Sequence, residues 1–135
     1  MKKVIIDTNV LLVSISKRSK LHWVFSTLIE KKYIMCVTTD ILDEYAEILE
    51  QHMGTEVSES VLRTLENLTN IEFVTRYFRF NLLNDEDDNK FVDCAIASNA
   101  SYIVSHDTDF KILESIEFPS VKVIDTNAFK IDLGF

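Results

Sequence analysis

Near the start of the chain, a run of three β-branched apolar residues, Val4-Ile5-Ile6, ends directly in an aspartate. Such a run predicts a strand that is buried on both faces, as in a parallel sheet covered by helices. In open sheets of this kind, ligands bind beyond the carboxyl ends of the strands. Asp7 therefore lies where a catalytic acid would be placed. The alternative is that Asp7 or Thr8 caps the segment that follows.

Strand-like and helix-like patterns alternate along the rest of the chain, with short connections between them. This alternation predicts an α/β fold with a parallel sheet and right-handed crossovers, in one domain of residues 1–135. The predicted strands are residues 3–6, 33–37, 71–75, 102–105 and 121–124. The predicted helices are residues 21–29, 41–49, 57–68, 85–99 and 110–113.

The formal net charge of -8 argues against a protein that binds a phosphate backbone by bulk charge. Another route to nucleic acid stays open, because divalent cations held by converging acids reverse the local sign of the charge. No apolar run approaches the roughly 18–20 residues of a membrane span, and no signal-peptide pattern is recognised, so we expect a cytoplasmic protein. Cys36 and Cys94 lie in apolar surroundings and are expected to be reduced core residues.

A second predicted strand, 102–105, is also followed by acids, Asp107 and Asp109. Acids that follow two parallel strands can face one site at the carboxyl edge of the sheet. The alternative for both is a role in capping the next helix.

Two further acids lie on predicted helices. Glu44 falls at the border of the apolar stripe of helix 41–49, so it either points to solvent or is aimed into a cleft. Asp93 is the only charge in an apolar segment, and burying an unpaired carboxylate costs several kcal/mol. It should therefore bind a metal or form an ion pair, for which Lys90 is the candidate partner.

Gathering Asp7, Glu44, Asp93 and Asp107 without cations would be strongly repulsive. Around Mg²⁺ or Mn²⁺, one ion or two, they form the all-oxygen ligand set that these hard ions prefer. Such a site can polarise a phosphoryl oxygen and deliver hydroxide to a phosphodiester. The prediction requires that Asp93 and Asp107 face Asp7.

In four stretches the chain resembles the PIN-domain family, small ribonucleases that depend on Mg²⁺ or Mn²⁺. The stretches are residues 4–11 (Val-Ile-Ile-Asp-Thr-Asn-Val-Leu), 42–45 (Leu-Asp-Glu-Tyr), 87–95 (Asp-Asp-Asn-Lys-Phe-Val-Asp-Cys-Ala) and 102–110 (Tyr-Ile-Val-Ser-His-Asp-Thr-Asp-Phe). They follow the family's order over essentially the whole chain. The third is similar to the branch described as the toxin components of toxin–antitoxin pairs.

The resemblance implies a three-layer α/β/α sandwich with a central, mostly parallel sheet, a homodimer, and metal-dependent cleavage of single-stranded RNA. An antitoxin protein is a possible partner. The family's four catalytic and metal-binding acids fall on Asp7, Glu44, Asp93 and Asp107. Supporting hydroxyl or amide groups fall on Thr8, Asn9 and Ser105, and Asp88 and Asp109 are candidate ligands through water.

Two sequence clusters could contact RNA. Lys17, Arg18 and Lys20 could hold backbone phosphates, with a solvated turn as the alternative. The segment 76–80 contains two arginines and three aromatic residues that could supply charge and base stacking. The alternative for these aromatic side chains is packing in the core or in a subunit interface.

From the residues alone, two other functions and one interpretation without a site remain open. A haloacid-dehalogenase-like phosphatase also places an aspartate after its first strand, but it needs a second aspartate two residues later, where this chain has Asn9. An inactive RNA-binding or assembly module on the same fold is the non-enzymatic alternative. The acids could also be a chance spread of surface carboxylates.

Overall fold

The fold is organised around one sheet of five parallel strands in the order β3-β2-β1-β4-β5. The structure, a computed structural model, describes residues 1–134. Val4, Ile5 and Ile6 in the central strand are fully buried, as their β-branched run predicts. The strands are β1 (Lys3–Ile6), β2 (Ile34–Val37), β3 (Ile71–Phe73), β4 (Tyr102–Val104) and β5 (Val123–Ile124).

Helices cover both faces of the sheet. Right-handed crossovers place the helices between β1 and β3 on one face, and the helix that connects β3 to β4 on the other face, where it packs against β1, β2 and β4. This arrangement confirms the predicted three-layer α/β/α sandwich. The helices are α1 (Thr8–Ser14), α2 (His22–Ile29), α3 (Thr39–Met53), α4 (Thr55–Asn67), α5 (Glu86–Ser98), a 3-10 helix (Thr108–Ser115) and α6 (Thr126–Leu133).

The strand order reverses direction between β1 and β4. From β1 the chain moves outward to β2 and β3, and it then returns to the other side of β1 to form β4 and β5. Such a switch point opens a crevice at the carboxyl ends of the two central strands. Asp7 follows β1 and Asp107 follows β4, so both acids lie at the rim of this crevice.

Two helices, α1 and α6, are not predicted by the sequence pattern. Residues 10–13 are apolar throughout, so α1 has no amphipathic period that would mark it as a helix. α6 buries only Thr126 and Phe129, too few positions to define a stripe. Cys36 and Cys94 are buried, as predicted. Within residues 1–134, none of the helices has the length and apolar character needed to cross a membrane.

Candidate active site

Asp7 lies at the junction of β1 and α1, and the residue is 7% exposed. Its backbone N–H donates to the carbonyl of Val104 at 3.0 Å, which extends the pairing of β1 with β4 by one residue. Asp7 occupies the N-cap position of α1, but among the described residues its side chain makes no capping hydrogen bond. The carboxylate is instead turned toward the end of β4. The capping alternative for the Asp7 side chain is therefore wrong.

Ser105 connects the two strand ends of the crevice. Its hydroxyl donates to Oδ2 of Asp7 at 2.7 Å and accepts from the backbone N–H of Asp107 at 3.0 Å. Oδ1 of Asp107 in turn accepts from the N–H of Asp109 at 2.9 Å, so the capping role considered for Asp107 is present. A buried hydroxyl thus holds the Asp7 carboxylate and the turn that contains Asp107 in a fixed relation.

Three more acids converge on the same edge of the sheet. Oxygen atoms of Asp85, Asp88 and Asp109 all lie within 4.8 Å of one another. Asp88 is in the first turn of α5, and burial together with the charges of Asp85, Asp107, Asp7 and Asp109 raises the pKa of its carboxyl to about 7. Asp88 therefore lies beside Asp85 and Asp109 and within reach of the charges of Asp7 and Asp107, although it was predicted only as a ligand through water.

The pKa of Asp7 is raised as well. Burial is the main cause, and the charges of Asp107 and Glu44 act in the same direction, while the hydrogen bond from Ser105 opposes them. The charges of Glu44 and Asp107 thus act on Asp7, and those of Asp7 and Asp107 act on Asp88, although these acids belong to separate elements. A chance spread of surface carboxylates does not account for this arrangement.

Glu44 lies on α3 at the border between its buried and exposed faces, as its spacing predicts, with the side chain 23% exposed. The hydroxyl of Thr8 donates to its Oε2. Nζ of Lys90, on α5, lies 2.7 Å from its Oε1. The neighbouring Asp43 is exposed, so the two consecutive acids of α3 have different environments.

The carboxylate of Asp93 is bound by an arginine side chain. The Asp93 side chain is 1% exposed, and Oδ2 receives the guanidinium of Arg76 at 2.8 Å from Nε and 2.6 Å from Nη2. Its Oδ1 accepts the backbone N–H of Phe80 at 3.2 Å, and Arg76 also pairs with Asp40 at 2.9 Å. The structure thus places Asp93 in a buried ion pair. The alternative Lys90–Asp93 pair is wrong, because Lys90 binds Glu44 instead.

The sequence predicts Lys90 as a partner of Asp93 and Arg76 as an RNA contact, and it predicts no role for Asn89. The Asn89 side chain exchanges hydrogen bonds of 2.9 and 3.0 Å with the backbone of Leu83, which fastens the segment before α5 to its first turn. Each of these contacts joins a residue of a helix to a different segment of the chain, so the periodicity of a single segment does not predict it. Asn9, by contrast, is exposed in the first turn of α1.

The candidate RNA contacts are at the surface. Lys17, Arg18 and Lys20 are exposed in the loop between α1 and α2. Tyr77 and Phe78 are 81% and 72% exposed, so the alternative that they pack in the core is wrong. They line a cavity of about 520 Å³ beside the edge strand β3.

Comparison with known proteins gives a family match and several structural likenesses. Residues 3–109 match the family model described as PIN domain. No curated protein matches the sequence significantly. The fold is similar to VapBC2 from Rickettsia felis bound to a promoter DNA fragment, with a TM-score of 0.61 and 18% identity over 91% of this chain and 98% of that chain.

Two further solved structures are similar. VapC20 from Mycobacterium tuberculosis, described as a sarcin-ricin loop cleaving toxin, has a TM-score of 0.58 and 14% identity over 80% of this chain and 92% of its own. The PIN domain endonuclease Utp24 has a TM-score of 0.53 and 17% identity over 91% of this chain and 84% of its own. At these identities the structural likeness establishes the fold alone.

Proposed function

The chain belongs to the PIN-domain family, and on that premise we propose that it is a divalent-metal-dependent endoribonuclease that hydrolyses phosphodiester bonds of single-stranded RNA. The names of similar structures support a nuclease, because VapC20 is described as a toxin that cleaves the sarcin-ricin loop and Utp24 as an endonuclease. The VapBC complexes from Rickettsia felis and Salmonella typhimurium support a toxin that pairs with an antitoxin. We further propose a cytoplasmic homodimer.

The observation that carries the proposal is the position of Asp88 among other acids: oxygens of Asp85, Asp88 and Asp109 lie within 4.8 Å of one another, and the charges of Asp7 and Asp107 also act on Asp88. Asp7, Asp88 and Asp107 come from different elements, and burial together with the charges of neighbouring acids raises the pKa of both Asp7 and Asp88. Without a bound cation, the repulsion between these carboxylates is unfavourable, and a bound cation relieves it. The acids are thus arranged as a site for a positive ligand.

The residues present fit the Mg²⁺ or Mn²⁺ that the family implies. Carboxylate oxygens are the donors that these hard ions prefer, and a nearby cluster of oxygens within 4.8 Å of one another adds Asp85 and Asp109. We propose that Asp7, Asp88 and Asp107 hold the ion and that Asp85 and Asp109 contact it through water. Asp88 here replaces Asp93, whose two oxygens are already engaged by Arg76 and Phe80.

A bound divalent ion would supply Lewis-acid polarisation of the scissile phosphate and would acidify an attacking water. The remaining roles belong to the chain. Ser105 holds the Asp7 carboxylate in place through its 2.7 Å hydrogen bond. Thr8 and Lys90 hold Glu44 at the rim of the same crevice. The exposed Lys17, Arg18 and Lys20 would hold backbone phosphates of the RNA.

The competing functions predict different reactions. A haloacid-dehalogenase-like phosphatase needs an aspartate two residues after Asp7, and that position is an exposed asparagine, Asn9. An inactive RNA-binding module would bind RNA and leave it intact. Metal-dependent cleavage of RNA, without hydrolysis of small phosphomonoesters, separates the nuclease from both.

The test is incubation of purified protein with several single-stranded RNAs and Mn²⁺, beside Asp7→Asn and the matched surface variant Asp43→Asn. Cleavage by the wild type and by Asp43→Asn, with loss in Asp7→Asn, is the expected result. Equal cleavage by all three would reveal a contaminant and remove the enzyme proposal. Mn²⁺ should also raise the melting temperature, because a ligand present at 100 times its Kd adds about 2.7 kcal/mol to the free energy of unfolding.

A further inference from the structure

Lys90 brings a positive charge into the acidic edge of the sheet. Its side chain is only 12% exposed, and its Nζ lies 2.7 Å from Oε1 of Glu44. An ammonium that loses this much of its hydration is stable only beside an opposite charge. The ion pair with Glu44 therefore defines where this charge lies, two residues after Asp88 on α5.

Glu44 is held on both of its oxygens. Thr8, the residue after Asp7, donates its hydroxyl to Oε2, while Lys90 engages Oε1. The two residues that hold Glu44 thus come from α1 and α5, the helices that begin at Asp7 and carry Asp88. The charge of Glu44 still reaches Asp7, whose pKa it raises. Glu44 therefore borders the same crevice, on the side where Lys90 lies.

A centre with two divalent ions needs carboxylates on both sides, because the ions lie about 3.5–4 Å apart and each one requires its own ligands. In the proposed site, Asp7, Asp88 and Asp107 supply the ligands of the first ion. Glu44 is the acid available for the other side, and both of its oxygens are already engaged. A lysine ammonium is a compact point charge, so it can stand where a second cation would otherwise bind.

We propose that the Lys90 ammonium takes the place of a second divalent ion beside Glu44, so that the centre binds one ion per chain. The inference rests on the proposed function, because it takes Asp7, Asp88 and Asp107 as the ligands of the first ion. Lys90 is then a positioning residue that orients Glu44 and leaves a fixed positive charge in the crevice.

The number of bound ions tests this inference directly. Metal-free protein is titrated with Mn²⁺, and the stoichiometry is read by calorimetry and by the electron paramagnetic resonance signal of free Mn²⁺. We expect one ion for the wild type and for Lys90→Arg, which keeps the charge. Lys90→Met releases Glu44 and should bind two ions. The double variant Lys90→Met/Glu44→Gln should return to one.

Two ions in the wild type, or one ion in a folded Lys90→Met variant, would overturn the inference. If circular dichroism shows that Lys90→Met does not fold, the polar and uncharged variant Lys90→Gln decides, since it should also bind two ions, whereas Glu44→Gln should bind one. Loss of binding in Glu44→Gln would make Glu44 a ligand of the first ion and would also overturn the inference. If the wild type binds two ions and cleaves RNA, this inference is rejected and the proposed function is kept. If the wild type binds no ion, both are rejected.

Discussion

The Ser105 hydroxyl donates a 2.7 Å hydrogen bond to Oδ2 of Asp7, and this bond joins the ends of the two central strands. Both residues are buried, so the hydroxyl is a fixed part of the crevice. The hydroxyl oxygen of Ser105 also accepts a hydrogen bond from the backbone N–H of Asp107. One side chain therefore sets the relation between two proposed ligands. Groups that orient metal ligands in this way are part of the metal site, and their loss weakens metal binding.

Ser105→Ala should weaken Mn²⁺ binding and RNA cleavage by about 10–100-fold, because Asp7 and the backbone of Asp107 lose their shared partner. Ser105→Thr keeps the hydroxyl and is the matched control. Calorimetry gives the metal affinity, and initial rates on a labelled RNA give the activity. If Ser105→Ala bound Mn²⁺ as the wild type does, the hydroxyl would have no role in shaping the site.

Asp88→Asn and Asp93→Asn should have opposite effects. Asp93→Asn leaves the buried Arg76 with Asp40 alone, and removal of one partner from a buried pair typically lowers the free energy of unfolding by about 3–5 kcal/mol. We expect the lower end of that range, because Asp40 remains, together with a nearly unchanged affinity for Mn²⁺. Urea denaturation measures the loss of stability.

Asp88→Asn should abolish Mn²⁺ binding with no loss of stability, because it removes a carboxylate that its neighbours repel. The exposed neighbour Asp87 provides the control Asp87→Asn, which should resemble the wild type. Loss of metal binding in a folded Asp93→Asn variant would restore Asp93 to the ligand set and contradict the assignment made from its ion pair.

Asp88 and Asp93 show which residues of the site could be predicted from the sequence and which could not. The acids after β1 and β4 could be predicted, because a buried strand followed by an acid is a local pattern and the parallel sheet places strand ends together. Asp88 and Asp93 are both on α5, five residues apart, which separates them by about 7.5 Å along the axis and about 140° around it. They cannot both face one ion.

The choice between them depends on contacts that no local pattern contains. α5 runs antiparallel to the strands, so its first turn, with Asp88, lies at the carboxyl edge, whereas Asp93 is one turn deeper. The partner of Asp93 is Arg76, from a segment without periodicity and 17 positions earlier. The Lys90–Glu44 pair likewise joins two helices whose relation is set by the tertiary fold alone.

The metal affinity should depend on pH through Asp88. Its pKa of about 7 in the folded chain means that a proton competes with the metal below neutrality. The apparent affinity for Mn²⁺ should then fall by about tenfold per pH unit below 7, as for a single linked proton. Calorimetric titrations between pH 5.5 and about 8 measure this slope. An affinity independent of pH across that range would contradict the role of Asp88 as a ligand.

The same shift predicts the pH dependence of stability in metal-free protein. The folded pKa of Asp88 is raised from the ordinary value of 3.8, so the folded state holds a proton that the unfolded state releases. This contribution to the free energy of unfolding is fully present below the unfolded pKa and is lost as pH rises through 7. Asp7 acts in the same direction. Asp88→Asn should flatten the decline seen by urea denaturation between these pH values.

The exposed basic loop between α1 and α2 should contribute to RNA binding through charge. In the Asp7→Asn background, which removes cleavage, Lys17→Gln/Arg18→Gln should weaken the binding of single-stranded RNA. Each phosphate contact contributes about 0.7 to the slope of log affinity against log salt, so losing two contacts should reduce that slope by about 1.4. Lys31→Gln/Lys32→Gln is the matched control, because these lysines are equally exposed but precede the amino end of β2, away from the crevice. Fluorescence anisotropy at several salt concentrations measures both pairs, and equal slopes would mean that bulk charge, and not this loop, holds the RNA.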